Sequence, residues 1–152
     1  MPGLFFFACL LPASNAYTAQ GKTPLCPEDA QIRECFKTHF HEIAITDLDL
    51  FEKLLRQAHE KMQTCRAGDV GYFLDLSLSR PIGTEHAEFF SEEIEKTVVS
   101  KPECFLNGLK TLAPASRARI WEELKNPLIE DKEAINKSLT PYKNKPGYKE
   151  LF

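Results

Sequence analysis

The sequence predicts an all-α fold, a compact bundle of about six to seven short antiparallel helices stapled by two disulfides. Three observations carry this. Apolar residues recur at spacings of three and four along most of the chain. Prolines, glycines and capping residues cut those stripes into short segments. No stretch alternates as a strand does; the nearest candidate, "TVVS" at 97–100, reads better as a helix end. The chain has 152 residues, 43% of them hydrophobic and 27% charged, which suits one domain with a real core.

The first sixteen residues, "MPGLFFFACLLPASNA", carry no charged side chain. Their apolar run from Leu4 to Leu11 is far short of the roughly 20 residues a membrane span needs. It fits a signal peptide cleaved after Ala16, although the usual basic residue before the run is missing. The expected division is residues 1–16 as signal, 17–140 as one helical domain, and 141–152 as an extended tail.

Helical spacing begins after a polar lead-in. Pro27, Glu28 and Asp29 suit a helix start, and Ile32, Cys35, Phe36, Phe40 and Ile43 continue it, with the first helix running to about Glu42. Thr46 is placed to cap the second, whose stripe is Leu48, Phe51, Leu55, Ala58, Met62 and Cys65. Gly68 is read as its C-cap and Asp69 as the cap of a third helix over 70–79. Pro81 and Gly83 follow. Thr84 is placed to cap a fourth helix with Ala87, Phe90, Ile94 and Val98 on its inner face. Ser100 and Glu103 form a capping box for a fifth, running to about Leu112. Pro114 and Ser116 open a sixth, broken at Asn126-Pro127, and a seventh covers about 130–139. Within the bundle, the pair of third and fourth helices would stack on the pair of fifth and sixth, as in a short solenoid.

Removing the signal removes Cys9 and leaves Cys26, Cys35, Cys65 and Cys104. An even number in an exported chain points to two disulfides. Antiparallel connectivity puts the end of the second helix and the start of the fifth at one end of the bundle. That favours Cys65 with Cys104 and leaves Cys26 with Cys35; the rival pairing is Cys26–Cys65 with Cys35–Cys104. Cys104 in a first helical turn has the setting of an activated thiol, but no histidine lies in a catalytic context beside it, and an oxidising compartment favours the bridge. The spacings between these cysteines resemble those of plant invertase and pectin methylesterase inhibitors. The interval between the two pairs is too short for all of that family's helices, and no other motif matches.

Charge and motifs narrow the function. A net charge of −3 without a basic block argues against nucleic acid and anionic membranes as partners. No membrane insertion is expected once the signal is gone. His39 and His41 would point about 200° apart on a helix and so share no metal; His39 is placed in the core stripe and His41 in solvent. "TDLDLFE" at 46–52 lacks the glycine and distal glutamate of a calcium loop. Glu92, Glu93 and Glu95, and Glu122 with Glu123, read as solvated polar faces. No catalytic, metal or cofactor residue is assigned, and no enzyme is expected.

The remaining candidates concern binding. Trp121 reads as core or as an interface anchor. Tyr142, Tyr148 and Phe152 give the tail apolar anchors, which either dock on the bundle or form a contact arm. Asn136-Lys137-Ser138 is a candidate glycosylation site on Asn136. The expected function is a secreted or periplasmic non-catalytic protein that binds another protein, as inhibitors, immunity factors, toxins and extracellular ligands do. The alternative is a carrier of a small apolar ligand, in a pocket walled by Phe36, Phe40, Phe51, Phe73, Phe89, Phe90 and Phe105.

Overall fold

The computed structural model describes residue 26 and residues 31–79 and 83–152. Among them are eight α-helices and no strand. They are α1 Ile32–Thr38, α2 Phe40–Thr46, α3 Leu48–Gln63, α4 Ala67–Ser77, α5 Thr84–Ser100, α6 Pro102–Lys110, α7 Pro114–Glu123 and α8 Lys132–Leu139. Two 3₁₀ turns follow, at Thr140–Tyr142 and Lys149–Leu151. The all-α bundle therefore stands as its periodicity predicts. The expected signal peptide with its cleavage point, Cys9, the lead-in, the helix start at 27–29 and Pro81 lie outside the described residues.

The core is built on phenylalanine. Phe36, Phe40, Phe51, Phe73 and Phe105 are at most 2% exposed. Phe36 and Phe40 both meet Phe51, at ring-centre distances of 5.6 and 5.0 Å, and Phe73 meets Phe90 at 5.1 Å. These edge and tilted contacts add to the area the rings bury.

The first predicted helix is two. A bend at His39 (φ −107°, ψ 22°) separates α1 from α2, and helix continues to Thr46 rather than stopping at Glu42. The bend lets Phe36, Phe40 and Ile43 all turn inward. It also turns His39 outward, correcting its core placement: the side chain is 40% exposed and its Nδ1 lies 3.0 Å from Glu42 Oε2. Asp47, not Thr46, caps α3, accepting the Leu50 N–H at 3.1 Å. Thr46 instead ends α2 and donates its hydroxyl to the Glu42 carbonyl.

The turn after α3 falls at Cys65 (φ 59°) rather than at Gly68, which lies inside α4. A left-handed residue with a side chain costs roughly 1–2 kcal/mol; glycine is not an option here, because this position carries the Cys65 sulfur. Asp69 is likewise inside α4 and ion-pairs with Arg33 of α1. Gly83, not Thr84, precedes α5 as its cap residue.

Helix α4 packs most extensively on α6, two helices further along, which is the contact that stacking one helix pair on the next makes. Two glycines make this possible. A Cβ on Gly108 would lie 2.6 Å from Val70 Cβ, and one on Gly71 would lie 3.0 Å from the Gly108 carbonyl oxygen. The backbones meet where neither residue has a side chain.

Candidate interaction groove

The four cysteines form two bridges, Cys26–Cys35 and Cys65–Cys104, with Cα atoms 5.7 and 5.1 Å apart. Both separations suit a disulfide, and the favoured pairing is the one found. Cys104 is thus a structural half-cystine and not a nucleophile. Two disulfides point to an oxidising, extracytoplasmic environment.

The C-terminal residues are docked, not extended, which corrects the expected form of the tail. Tyr148 and Leu151 are 6% and 5% exposed. The Tyr148 hydroxyl donates to Glu103 Oε1 at 2.8 Å, with Asn107 Oδ1 3.0 Å away. Lys110 Nζ sits 3.6 Å from the centre of the Tyr148 ring, and the Tyr142 ring packs edge-on against it at 5.4 Å. Glu103 is therefore no capping-box partner; Ser100 donates instead to the Lys96 carbonyl. The Tyr148 hydrogen bond, with Lys145 beside it, holds the Glu103 carboxyl below its ordinary range. Burial, then the Glu103 contact, pushes the Tyr148 hydroxyl up. Of the four candidate contact residues, Tyr142 and Tyr148 are occupied in holding the tail down.

Trp121 and Phe152 are placed differently. The Trp121 indole N–H donates to the Leu151 carbonyl at 2.6 Å, and its ring lies between Phe105 (5.8 Å) and Phe152 (5.3 Å). One side of the tryptophan is core; the other opens into a groove of about 550 Å³ between α7, α8 and the C-terminus. Trp121, Leu124, Ile135, Leu139 and Phe152 supply its apolar surface. Phe152 remains 47% exposed. Lys125, Lys132 and Lys143 line the same groove with Glu122 as its one acid. Lys125 pairs with Glu122, whereas no described acidic side chain pairs with Lys132 or Lys143. Exposed Asn136 also lines the groove.

The acidic residues of α5 do not share one solvated face. Glu93 reaches His59 of α3 at 2.7 Å and Gln63 at 3.2 Å, and the His59 ring rests against Phe89 at 5.5 Å. Glu95 is 4% exposed. Its carboxylate accepts the backbone N–H of Leu128 at 2.8 Å, Ile129 at 2.9 Å and Glu130 at 2.7 Å. It fixes the strap between α7 and α8, on which Leu128 and Ile129 stand 65% and 52% exposed. Helical periodicity gave no sign of this anchor.

Of the phenylalanines expected to wall a pocket, Phe36, Phe40 and Phe51 pack on one another, and so do Phe73, Phe89 and Phe90. Two of the seven line a cavity among those found: Phe90 one of about 300 Å³, and Phe36 a much smaller one of about 20 Å³. Among the described residues no three His, Cys, Asp or Glu side chains gather as a metal site would need, and no helix is long and apolar enough to cross a membrane. Comparison of the chain with protein-family models, with curated proteins and with solved structures finds no match.

Proposed function

We propose that this is a non-catalytic secreted protein that binds another protein through the Trp121 groove. The observation that carries the reading is the groove's composition: an apolar surface of Trp121, Ile135, Leu139 and Phe152 beside two lysines with no described acidic partner. A tryptophan half in the core and half in a groove has the rigidity of an interface anchor. The chemistry fits an acidic amphipathic segment. Its apolar side chains enter between the tryptophan and α8 while its carboxylates meet Lys132 and Lys143. Two disulfides and a docked C-terminus keep that surface preformed, which lowers the ordering cost of binding.

Trp121 is the sole tryptophan of the chain, so its fluorescence reports on the groove alone. The probe is a synthetic amphipathic helix with leucine and phenylalanine on one face and glutamate on the other. Titration should shift the Trp121 emission to the blue, and the affinity should fall with added salt. Substituting Lys132→Glu with Lys143→Glu should weaken binding about tenfold or more. The lysine analogue of the peptide should not bind. Absence of binding, or binding indifferent to the two lysines, overturns the reading.

A further inference from the structure

A second concavity, which shares only Leu124 with the groove, lies between α5, α7 and the strap. Its volume is about 300 Å³, the space of roughly ten water molecules at about 30 Å³ each. That is the lower end of ligand-site sizes. Phe90, Ile94, Ile120 and Leu124 form its apolar wall. Glu95 and Glu123 are its charged lining, and no lysine, arginine or histidine joins them there.

The wall and the acids make different demands. The apolar side chains favour a hydrocarbon occupant over water. Glu95 offers about four acceptor positions and uses three on the strap, two of them at Oε2. The place left open is on Oε1, on a side chain already out of solvent. An occupant with an N–H donor fills it; a pure hydrocarbon does not. Glu123 stands at the same cavity with much of its side chain exposed. Its carboxyl is pushed up by the part that is buried and pulled back by Arg119. An anionic ligand would meet two carboxylates and no cation.

We propose that this cavity binds a small apolar amine, its hydrocarbon against Phe90, Ile94 and Ile120 and its ammonium directed to Glu95 and Glu123. Leu128, exposed at the strap and lining the cavity, covers the hydrocarbon from the solvent side. The strap is held by its backbone, so the Leu128 side chain is free to change rotamer as the ligand enters.

The test uses three probes of one size: 2-phenylethylamine, phenylacetate and ethylbenzene, each titrated into the full mature chain and followed by amide NMR shifts. The amine should move the resonances of Leu128 and Ile129 and of the α5 turn around Ile94. Phenylacetate should not bind. Glu123→Gln should weaken the amine about tenfold, the loss of one charge-assisted contact. Ala87→Phe, which fills the cavity from its wall, should abolish it. Lys132→Glu with Lys143→Glu should leave amine binding unchanged, which separates this site from the groove. The proposal is overturned if none of the probes binds, the cavity then holding water only. It is equally overturned if amine and acid bind alike, or if Glu123→Gln has no effect.

Discussion

The Leu128 N–H donates to Oε1 of Glu95 at 2.8 Å across 33 residues of sequence, and the next two backbone N–H groups follow it to the same carboxylate. A buried charge is tolerated when its acceptor positions are filled, and costly to its partners when it is removed. Glu95→Ala leaves three strap N–H groups without an acceptor. It should cost about 2 kcal/mol or more on the scale of charge-assisted hydrogen bonds. Amide exchange at residues 128–130 should accelerate strongly. Glu92→Ala, on an exposed neighbour, should stay within about 0.5 kcal/mol. Equal effects from the two substitutions would remove the anchoring role.

The docked C-terminus should behave as part of the core. Deleting residues 141–152 removes buried Tyr148 and Leu151 and strips the Trp121 indole of its acceptor. The melting temperature should fall, with a loss of roughly 2–4 kcal/mol by comparison with large-to-small core substitutions. Thermal unfolding followed by circular dichroism measures it. An unchanged melting curve would mean that the C-terminus contributes contacts without stability.

Gly108 offers a sharper test, because two effects oppose each other there. Alanine is favoured over glycine inside a helix by up to about 1 kcal/mol. Here a new methyl would meet Val70 Cβ at 2.6 Å, an atom that cannot swing aside without moving α4. Overpacking of this kind costs roughly 1–3 kcal/mol. Gly108→Ala should therefore destabilise, whereas Gly68→Ala, with nothing within 4 Å of its added methyl, should stabilise slightly. Denaturant midpoints for the two variants decide the sign.

Acid should loosen the C-terminus first. The folded protein lowers the Glu103 carboxyl from its ordinary 4.5, chiefly through the Tyr148 hydroxyl. A depressed carboxyl contributes stability above its unfolded pKa and loses it as pH falls through the folded one. The Tyr148 ring resonances should thus hold their positions from neutral pH down to about 5 and move below about 4. Glu103→Gln should abolish that transition. A transition that survives the substitution would trace to another carboxylate.

The Cys65–Cys104 bridge was legible because connectivity favours it over the rival pairing: helices of alternating direction bring those two positions to one end. The phenylalanine core was legible from spacing, though not how its rings would pair. Three features were hidden for distinct physical reasons. The bend at His39 has no proline or glycine to mark it and arises from where Phe36 and Phe40 must both go. Glu95 occupies a helical position that looks polar and solvated, and its partners are backbone groups that any sequence possesses. Gly71 and Gly108 lie mid-helix without a turn to explain them; that oddity was the one available signal of a close crossing. The Trp121 groove depends on the C-terminus folding back, the docking that the aromatic anchors of "TPYKNKPGYKELF" offered as one reading although its two prolines and glycine favour extended chain.

The Cys65–Cys104 bridge closes a covalent ring that contains α4 and α5 entire. A protease that cuts the chain once anywhere from residue 66 to 103 therefore opens the ring without releasing a fragment. Both pieces stay on one molecule until the sulfurs are reduced, and the α3 and α6 ends remain pinned side by side. A single nick in that stretch is therefore survivable damage. On a gel it should show as one band without reductant and two with it.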